Sequence, residues 1–450
     1  MKSIKSILLI LFLPILVLAT KSILDLRRSA AGTLANIIIN TQTQNTNINP
    51  SLWRNLSQGG EEPLDMIKPV ASQLRLIKPE LIRIDHLFDY YNVDQGNGNY
   101  DFSRLDEIVN SIISTGAKPM LSLSYTTASM SQNNQNAGEP KDWTQWNNLV
   151  IATAQHYSIK KNISGIYYEV WNEPDLFGGW HYGRSPNYSI LYINTAKAVA
   201  QGAKGSLYKI GGPATTAYYS NWIKALFKTA SQNNLPLDFI SWHKYSTNMN
   251  DYLNEFDSLN KIISDYPQYF NIERLITEVG PNPEPDPSYD NFQSGIHLIS
   301  LTTQLYGKIH RLFTFEAVDG PSPRSEKSTG WGILTHDNKP KPRFFAFQFI
   351  NQLDGQQLSS TGDGTWVTSL SSKTSKSIKT LIVNYDPKNL HVETTPITFQ
   401  GLTPGRYQLK TSKYLGKTNS KIFTISSATY VENLYLEPNT AYLLELQMLQ

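Results

Sequence analysis

From Leu81 to Ile350 the sequence alternates short, nearly all-apolar runs with stretches of helical periodicity, and this alternation constrains the fold more than any other feature. Runs at 81–84, 119–123, 166–171, 209–212, 239–242, 275–277 and 311–315 read as strands, and Ile37-Ile38-Ile39 upstream supplies a first one. Helices are expected over 64–76, 102–113, 143–157, 188–203, 221–230, 253–263, 296–306 and 343–350. The runs lack the polar alternation of half-exposed strands, so each is expected to be buried on both faces in a parallel sheet. Eight such strand–helix units predict an α/β fold, a (β/α)8 TIM barrel. A doubly wound sheet is the competing arrangement, but no G-x-G-x-x-G follows any run.

Past Gln356 the pattern changes. Helical periodicity stops, and alternating stretches at 380–385, 407–410 and 441–446 are separated by Pro and Gly turns. This tail, 355–450, reads as a C-terminal antiparallel β-sandwich domain, which leaves 31–354 for the barrel. At the other end, Lys2 and Lys5 precede an apolar run from Ile7 to Ala19, with small residues at Val17-Leu18-Ala19. Residues 1–30 are therefore expected to be a signal peptide. An N-terminal membrane anchor is the alternative, favoured by Lys21, Arg27 and Arg28 after the run and disfavoured by Pro14 within it. Either reading makes the protein secreted or membrane-anchored, extracellular or periplasmic.

Composition narrows the chemistry. The 450 residues carry a net charge of +3, with only 17% charged side chains and no basic block, so nucleic acid is not an expected partner. Twenty-five Tyr and nine Trp suit a neutral, hydroxyl-rich ligand, whose C–H faces stack on rings. There are no cysteines, which removes disulfides and thiolate chemistry, and the eight His show no metal-ligand spacing. No cofactor and no metal is expected. The partner class is a carbohydrate.

A barrel carries its chemistry where its strands end. The fourth run ends in Trp171-Asn172-Glu173-Pro174-Asp175 and the seventh in Thr277-Glu278-Val279-Gly280-Pro281. Glu173 and Glu278 would then face each other across the mouth, where one carboxyl can protonate a glycosidic oxygen and the other attack the anomeric carbon. Taken alone, Asn-Glu-Pro also fits a plain turn. Glu169 shares the parity of Glu173 but lies deeper, where a buried pairing with Arg is expected. Arg83 ends the second run. It would either keep Glu278 ionised or pair with Glu169 on the floor. Glu278 is expected to rest ionised, and Glu173 to rest protonated behind apolar walls.

The segment 168–175, with Ile276-Thr277-Glu278, resembles glycoside hydrolase family 39, a family of β-xylosidases, α-L-iduronidases and bacterial exopolysaccharide hydrolases within a larger clan of barrels. Lys209-Ile210-Gly211-Gly212-Pro213-Ala214, Asp238-Phe239-Ile240-Ser241-Trp242-His243 and Pro340-Lys341-Pro342 add to the likeness. The resemblance implies a retaining glycoside hydrolase acting on a poly- or oligosaccharide, with Glu173 as acid/base and Glu278 as nucleophile. It assigns Asn172 a hydrogen bond to the sugar 2-hydroxyl, and it suggests that His243 or Tyr245 donates to the nucleophile. Two departures stand out. The order Arg83-Ile84-Asp85-His86 puts Asp85 where many relatives carry His, so either Asp85 replaces it or His86 is shifted. The eighth run ends in Phe313, Phe315 and Glu316 rather than a Trp platform. Trp180, with Trp143, Trp146 and Trp331, could supply such a platform, and Glu316 and His86 are further substrate-binding candidates. A catalytically silent carbohydrate-binding barrel is the rival reading, and a scaffold binding through its β-sandwich is a third.

Overall fold

The computed structural model describes residues 32–43, 46–60, 62–320 and 330–449. The expected signal or anchor at 1–30 lies outside them. Among the described residues, no helix is long and apolar enough to cross a membrane. The described residues divide into two compact units, one within 49–352 and one that joins those from 32 to 48 to those from 353 onward.

The first unit is a closed barrel of eight parallel strands in sequence order. They are β2 (Asn55–Gln58), β3 (Leu81–Ile84), β4 (Lys118–Leu123), β5 (Ile166–Val170), β6 (Tyr208–Thr215), β7 (Phe239–Tyr245), β8 (Glu273–Gly280) and β9 (Arg311–Phe315). Asx caps open several of the surrounding helices. Asp142, Asn187, Asn248 and Asn291 each accept a hydrogen bond from the backbone N–H two residues on, satisfying a donor the helix leaves orphaned. Leu81, Met120, Tyr167, Phe239, Leu275 and Phe313, all near the starts of their strands, pack as one apolar floor. Two residues further along β3 and β5, Arg83 and Glu169 face the same interior, so the first polar layer sits directly on that floor.

One barrel strand was misplaced by sequence reasoning. Ile37-Ile38-Ile39 does not open the barrel; β2, with the sequence Asn-Leu-Ser-Gln, does. Its polar side chains are buried because each is hydrogen-bonded. Asn55 Nδ2 donates to the Ser51 carbonyl at 2.7 Å and its Oδ1 accepts from Arg311 at 3.0 Å. Ser57 donates to the Thr277 carbonyl, and Gln58 to Glu316 at 3.0 Å. A strand that buries amides and hydroxyls in this way has no apolar signature.

The second unit is a nine-stranded sheet in the order β15-β14-β17-β12-β11-β10-β1-β13-β16. Here β1 is Ile37–Asn40, β10 Gln356–Thr361, β11 Val367–Lys373, β12 Ile378–Asn384, β13 Glu393–Gln400, β14 Gly405–Lys413, β15 Thr418–Ile425, β16 Thr429–Leu436 and β17 Thr440–Met448. All pairings are antiparallel except that of β1 with β13. Its core joins Ile425 of β15 to Leu434 of β16, and the Phe423 and Tyr430 rings stack at 4.3 Å, so the two ends of the strand order meet and the sheet folds over on itself. Ile37 and Ile39 lie in this core. The expected tail domain therefore includes a strand from the start of the chain, and the expected barrel boundary at residue 31 moves to residue 49.

Candidate active site

Two backbone irregularities aim the carboxylates. In β8 the residues facing the interior would by parity be 275, 277 and 279, which turns Glu278 outward. The pairing of β7 with β8 skips a residue, however: Trp242 lies opposite Ile276 and His243 opposite Glu278. This bulge at Thr277 rotates Glu278 into the mouth. At the end of β5, Trp171 and Glu173 take left-handed backbone conformations, with φ of 73° and 45°. Such conformations are costly for residues with a side chain and persist only where the surroundings fix them. Here Glu173 N–H donates to the Ala214 carbonyl at 2.9 Å, and the Glu173 carbonyl accepts from Leu176 and Phe177 at 2.9 and 2.7 Å. Asp175 adds a tie by accepting from the Thr216 N–H at 3.0 Å.

Arg83 organises the layer beneath. Its Nε donates to Glu169 at 2.6 Å, one terminal nitrogen to Glu278 Oε1 at 3.1 Å and the other to Asn172 Oδ1 at 2.6 Å. Arg83 thus touches both of the carboxylates that sequence reasoning offered it, Glu169 and Glu278. The bond to Asn172 also fixes its amide orientation, so its Nδ2 donates to the Tyr125 hydroxyl at 2.6 Å. Tyr245 donates to Glu278 Oε2 at 2.8 Å. His243 Nδ1 lies 2.9 Å from Glu173 Oε1 and 3.4 Å from Glu278 Oε2, and with an acceptor on either side this nitrogen carries the hydrogen. Glu173, His243 and Glu278 thus bring ligand-type atoms within 4.8 Å of one another. His243, Tyr245 and Arg83 aim hydrogen-bond donors at those carboxylate oxygens, so donors knit the cluster together.

The electrostatics differ from the expected arrangement. Burial pushes Glu278 up, to about 7, although the charges of His243 and Arg83 oppose the rise. Burial also pushes on Glu173, but the His243 hydrogen bond and the charges of His243 and Arg83 outweigh it, so its carboxyl lies below the usual range. His243 is itself raised: desolvation is overcome by Glu278 and by the bond to Glu173. The directions reverse the expected resting states, favouring a proton on His243 and Glu278 over Glu173. Sequence reasoning allowed for apolar walls but not for an imidazole wedged between the two acids. Burial and the adjacent Glu278 charge hold the Tyr245 phenol well above its ordinary value, which keeps it a donor.

The other candidates divide by exposure. Arg83 and His243 are fully buried and act through the groups they touch, rather than on a sugar directly as expected. Tyr245 is partly exposed and packs against Phe315 and Trp331, an aromatic wall beside Glu278. His86 is partly exposed, with Nδ1 on Asp89 at 2.8 Å and its ring stacked on Tyr90 at 4.1 Å. Two expectations are corrected. Trp180 is no open platform: it is 1% exposed and packs edge-on against Trp171, bracing the Glu173 turn from behind. Glu316 is fully buried and accepts from Gln58, tying the end of β9 to β2. Trp146 is likewise buried, bonded to Thr195. Sequence reasoning missed Tyr125. Its position just beyond the end of β4 was the available signal, since the residues after each barrel strand line the mouth.

A family model described as Glycosyl hydrolases family 39 matches residues 35–384. A beta-xylosidase of Geobacillus stearothermophilus is 24% identical over 341 residues, 67% of this chain and 67% of that protein. One from Caldicellulosiruptor saccharolyticus is 26% identical over 296 residues, 59% of each. Among solved structures, a monomeric beta-xylosidase from Caulobacter crescentus CB15 superposes with a TM-score of 0.77 at 19% identity, covering 92% of this chain and 100% of that one. The GH39 enzyme from Xanthomonas axonopodis pv. citri gives 0.76 at 19% identity, covering 94% and 99%. At such identities the structural likeness is one of fold.

Proposed function

The chain belongs to glycosyl hydrolases family 39 and is a glycosidase, and from that premise we propose that it hydrolyses O-glycosidic bonds with retention of configuration, Glu173 acting as acid/base and Glu278 as nucleophile. The observation that carries this reading is the approach of the two carboxylates, with oxygens within 4.8 Å of one another. Retaining enzymes hold their carboxyl groups about 5–5.5 Å apart, whereas inverting ones need about 6.5–9.5 Å to admit a water between them. The roles follow from the partners. Glu278 is gripped by Arg83 and Tyr245, which hold one oxygen pair in place for in-line attack on the anomeric carbon. Glu173 is the more exposed of the two and hydrogen-bonds His243, through which it can gain the proton it gives to the leaving oxygen before it takes one from water. As the glycosyl–enzyme forms, Glu278 loses its charge, the proton affinity of Glu173 falls, and it is readied as a base. Asn172, locked by Arg83 beside Glu173, is placed to hydrogen-bond a sugar hydroxyl.

The substrate is a poly- or oligosaccharide of the β-xyloside or bacterial exopolysaccharide type; the beta-xylosidases among the relatives support the former. Residues 1–30 would carry the enzyme out of the cytoplasm or anchor it, which N-terminal sequencing of the mature protein tests. The mechanism is tested by azide rescue. Glu278→Ala should be inactive on every substrate, and azide should restore an inverted glycosyl azide. Glu173→Ala should still release dinitrophenol and, with azide, yield the retained product. The opposite stereochemistry in the two variants exchanges the roles.

A further inference from the structure

Asp85 lies one residue beyond β3 and shares the parity of Arg83, so its carboxylate enters the mouth one step above the guanidinium. It is 6% exposed, and its Oδ1 meets no hydrogen-bond donor among the described residues. Arg83 directs its donors to Glu169, Glu278 and Asn172, and His86 Nδ1 meets Asp89. The charge of Asp85 nevertheless bears on Glu278, Glu173 and Tyr125, which places it among the groups that surround a sugar in this site. A buried carboxylate oxygen without a donor is costly and is retained where something supplies one.

Resting on the reading of this site as the glycosidase centre, we propose that Asp85 reads the sugar: it accepts hydrogen bonds from a donor group of the glycone held beside Glu173 and Glu278, and it turns away glycones that carry a carboxylate. The charges around it favour this. Among the described residues, the carboxylates of Asp85, Asp89, Glu169, Glu173 and Glu278 face Arg83, His86 and His243, so an incoming uronate meets more negative groups than positive ones. A hydroxyl or an ammonium offers Asp85 what it lacks. Either group is a donor without negative charge, and the two are separated by experiment.

The test is calorimetric binding to the full chain carrying Glu173→Gln, which stops turnover without emptying the site. The probes are xylobiose, the disaccharide of de-N-acetylated chitin, and a disaccharide ending in glucuronic acid. The Glu173→Gln protein should bind one of the first two and discriminate against the uronate. Adding Asp85→Asn should weaken the preferred probe by about tenfold or more, the worth of a hydrogen bond to a charged group, and narrow its advantage over the uronate. Loss confined to the amino sugar identifies an ammonium as the group read; loss with xylobiose identifies a hydroxyl. Asp85→Ser gives a second reading should the amide disturb folding. An unchanged ratio of uronate to preferred probe, or no binding of any probe, overturns the proposal. Turnover that persists in Glu173→Gln instead overturns the acid/base assignment, so the two failures are distinct.

Discussion

His243 directs one N–H toward two carboxylates, at 2.9 Å and 3.4 Å, so its charge bears on both acids at once. As an imidazolium it lowers the pKa of both Glu173 and Glu278. Replacing it with Asn removes that charge, so both carboxyls should titrate higher. Both limbs of the kcat/KM profile should therefore move up in pH, each by about 1–2 units. A pH profile unchanged in His243→Asn would separate the imidazole from the protonation of the site. Arg83 plays a different part. It is the cation for Glu169, and both are fully buried. Arg83→Met strands that carboxylate and should cost about 3–5 kcal/mol in urea unfolding, with part of the loss recovered by adding Glu169→Gln. Glu173, Glu278 and Asn172 were legible as residues in the sequence because barrel chemistry sits at strand ends. The donor that divides the proton between them was not, since His243 meets Glu173 only across the closed barrel.

At the scale of elements, the barrel depends on close approaches that particular residues permit. Gly211 in β6 is one: a Cβ there would lie 2.1 Å from the Phe239 carbonyl oxygen and 2.6 Å from the Phe239 ring. The contact is partly with backbone and cannot rotate away, and Phe239 belongs to the floor beneath the site. Gly211→Ala should therefore destabilise the barrel by about 1–3 kcal/mol, read as a lower urea midpoint with the slope unchanged. Seven of the barrel strands were legible as apolar runs because parallel strands under a ring of helices are buried on both faces. Strand β2 was not, because its burial is satisfied by hydrogen bonds. Nor was the bulge that turns Glu278 inward. A pattern of side chains does not disclose a skipped pairing partner, and without that skip the same sequence would point Glu278 out of the mouth.

For the molecule as a whole, the order of the chain differs from the order of its units. The first described strand belongs to the sheet, the chain then runs through the barrel and returns to the sheet, with β1 hydrogen-bonded to β10 on one side and β13 on the other. Residues 353–450 expressed alone would lack that strand and expose the faces that Ile37 and Ile39 cover. The fragment should aggregate or lose near-UV dichroism, and a peptide of residues 32–48 should restore it; a well-folded fragment without the peptide would contradict the arrangement. Sequence by itself determined seven of the eight barrel strands and the barrel they imply, the strand-rich unit that follows, and the two glutamates at strand ends. Those conclusions rest on periodicity and chain order, which are local. Tertiary structure decided which sheet takes Ile37–Asn40, whether Glu278 faces in, and where the proton between the acids resides. An apolar run specifies that a strand is buried but not beside which neighbours, and a pKa depends on groups brought together from distant parts of the chain.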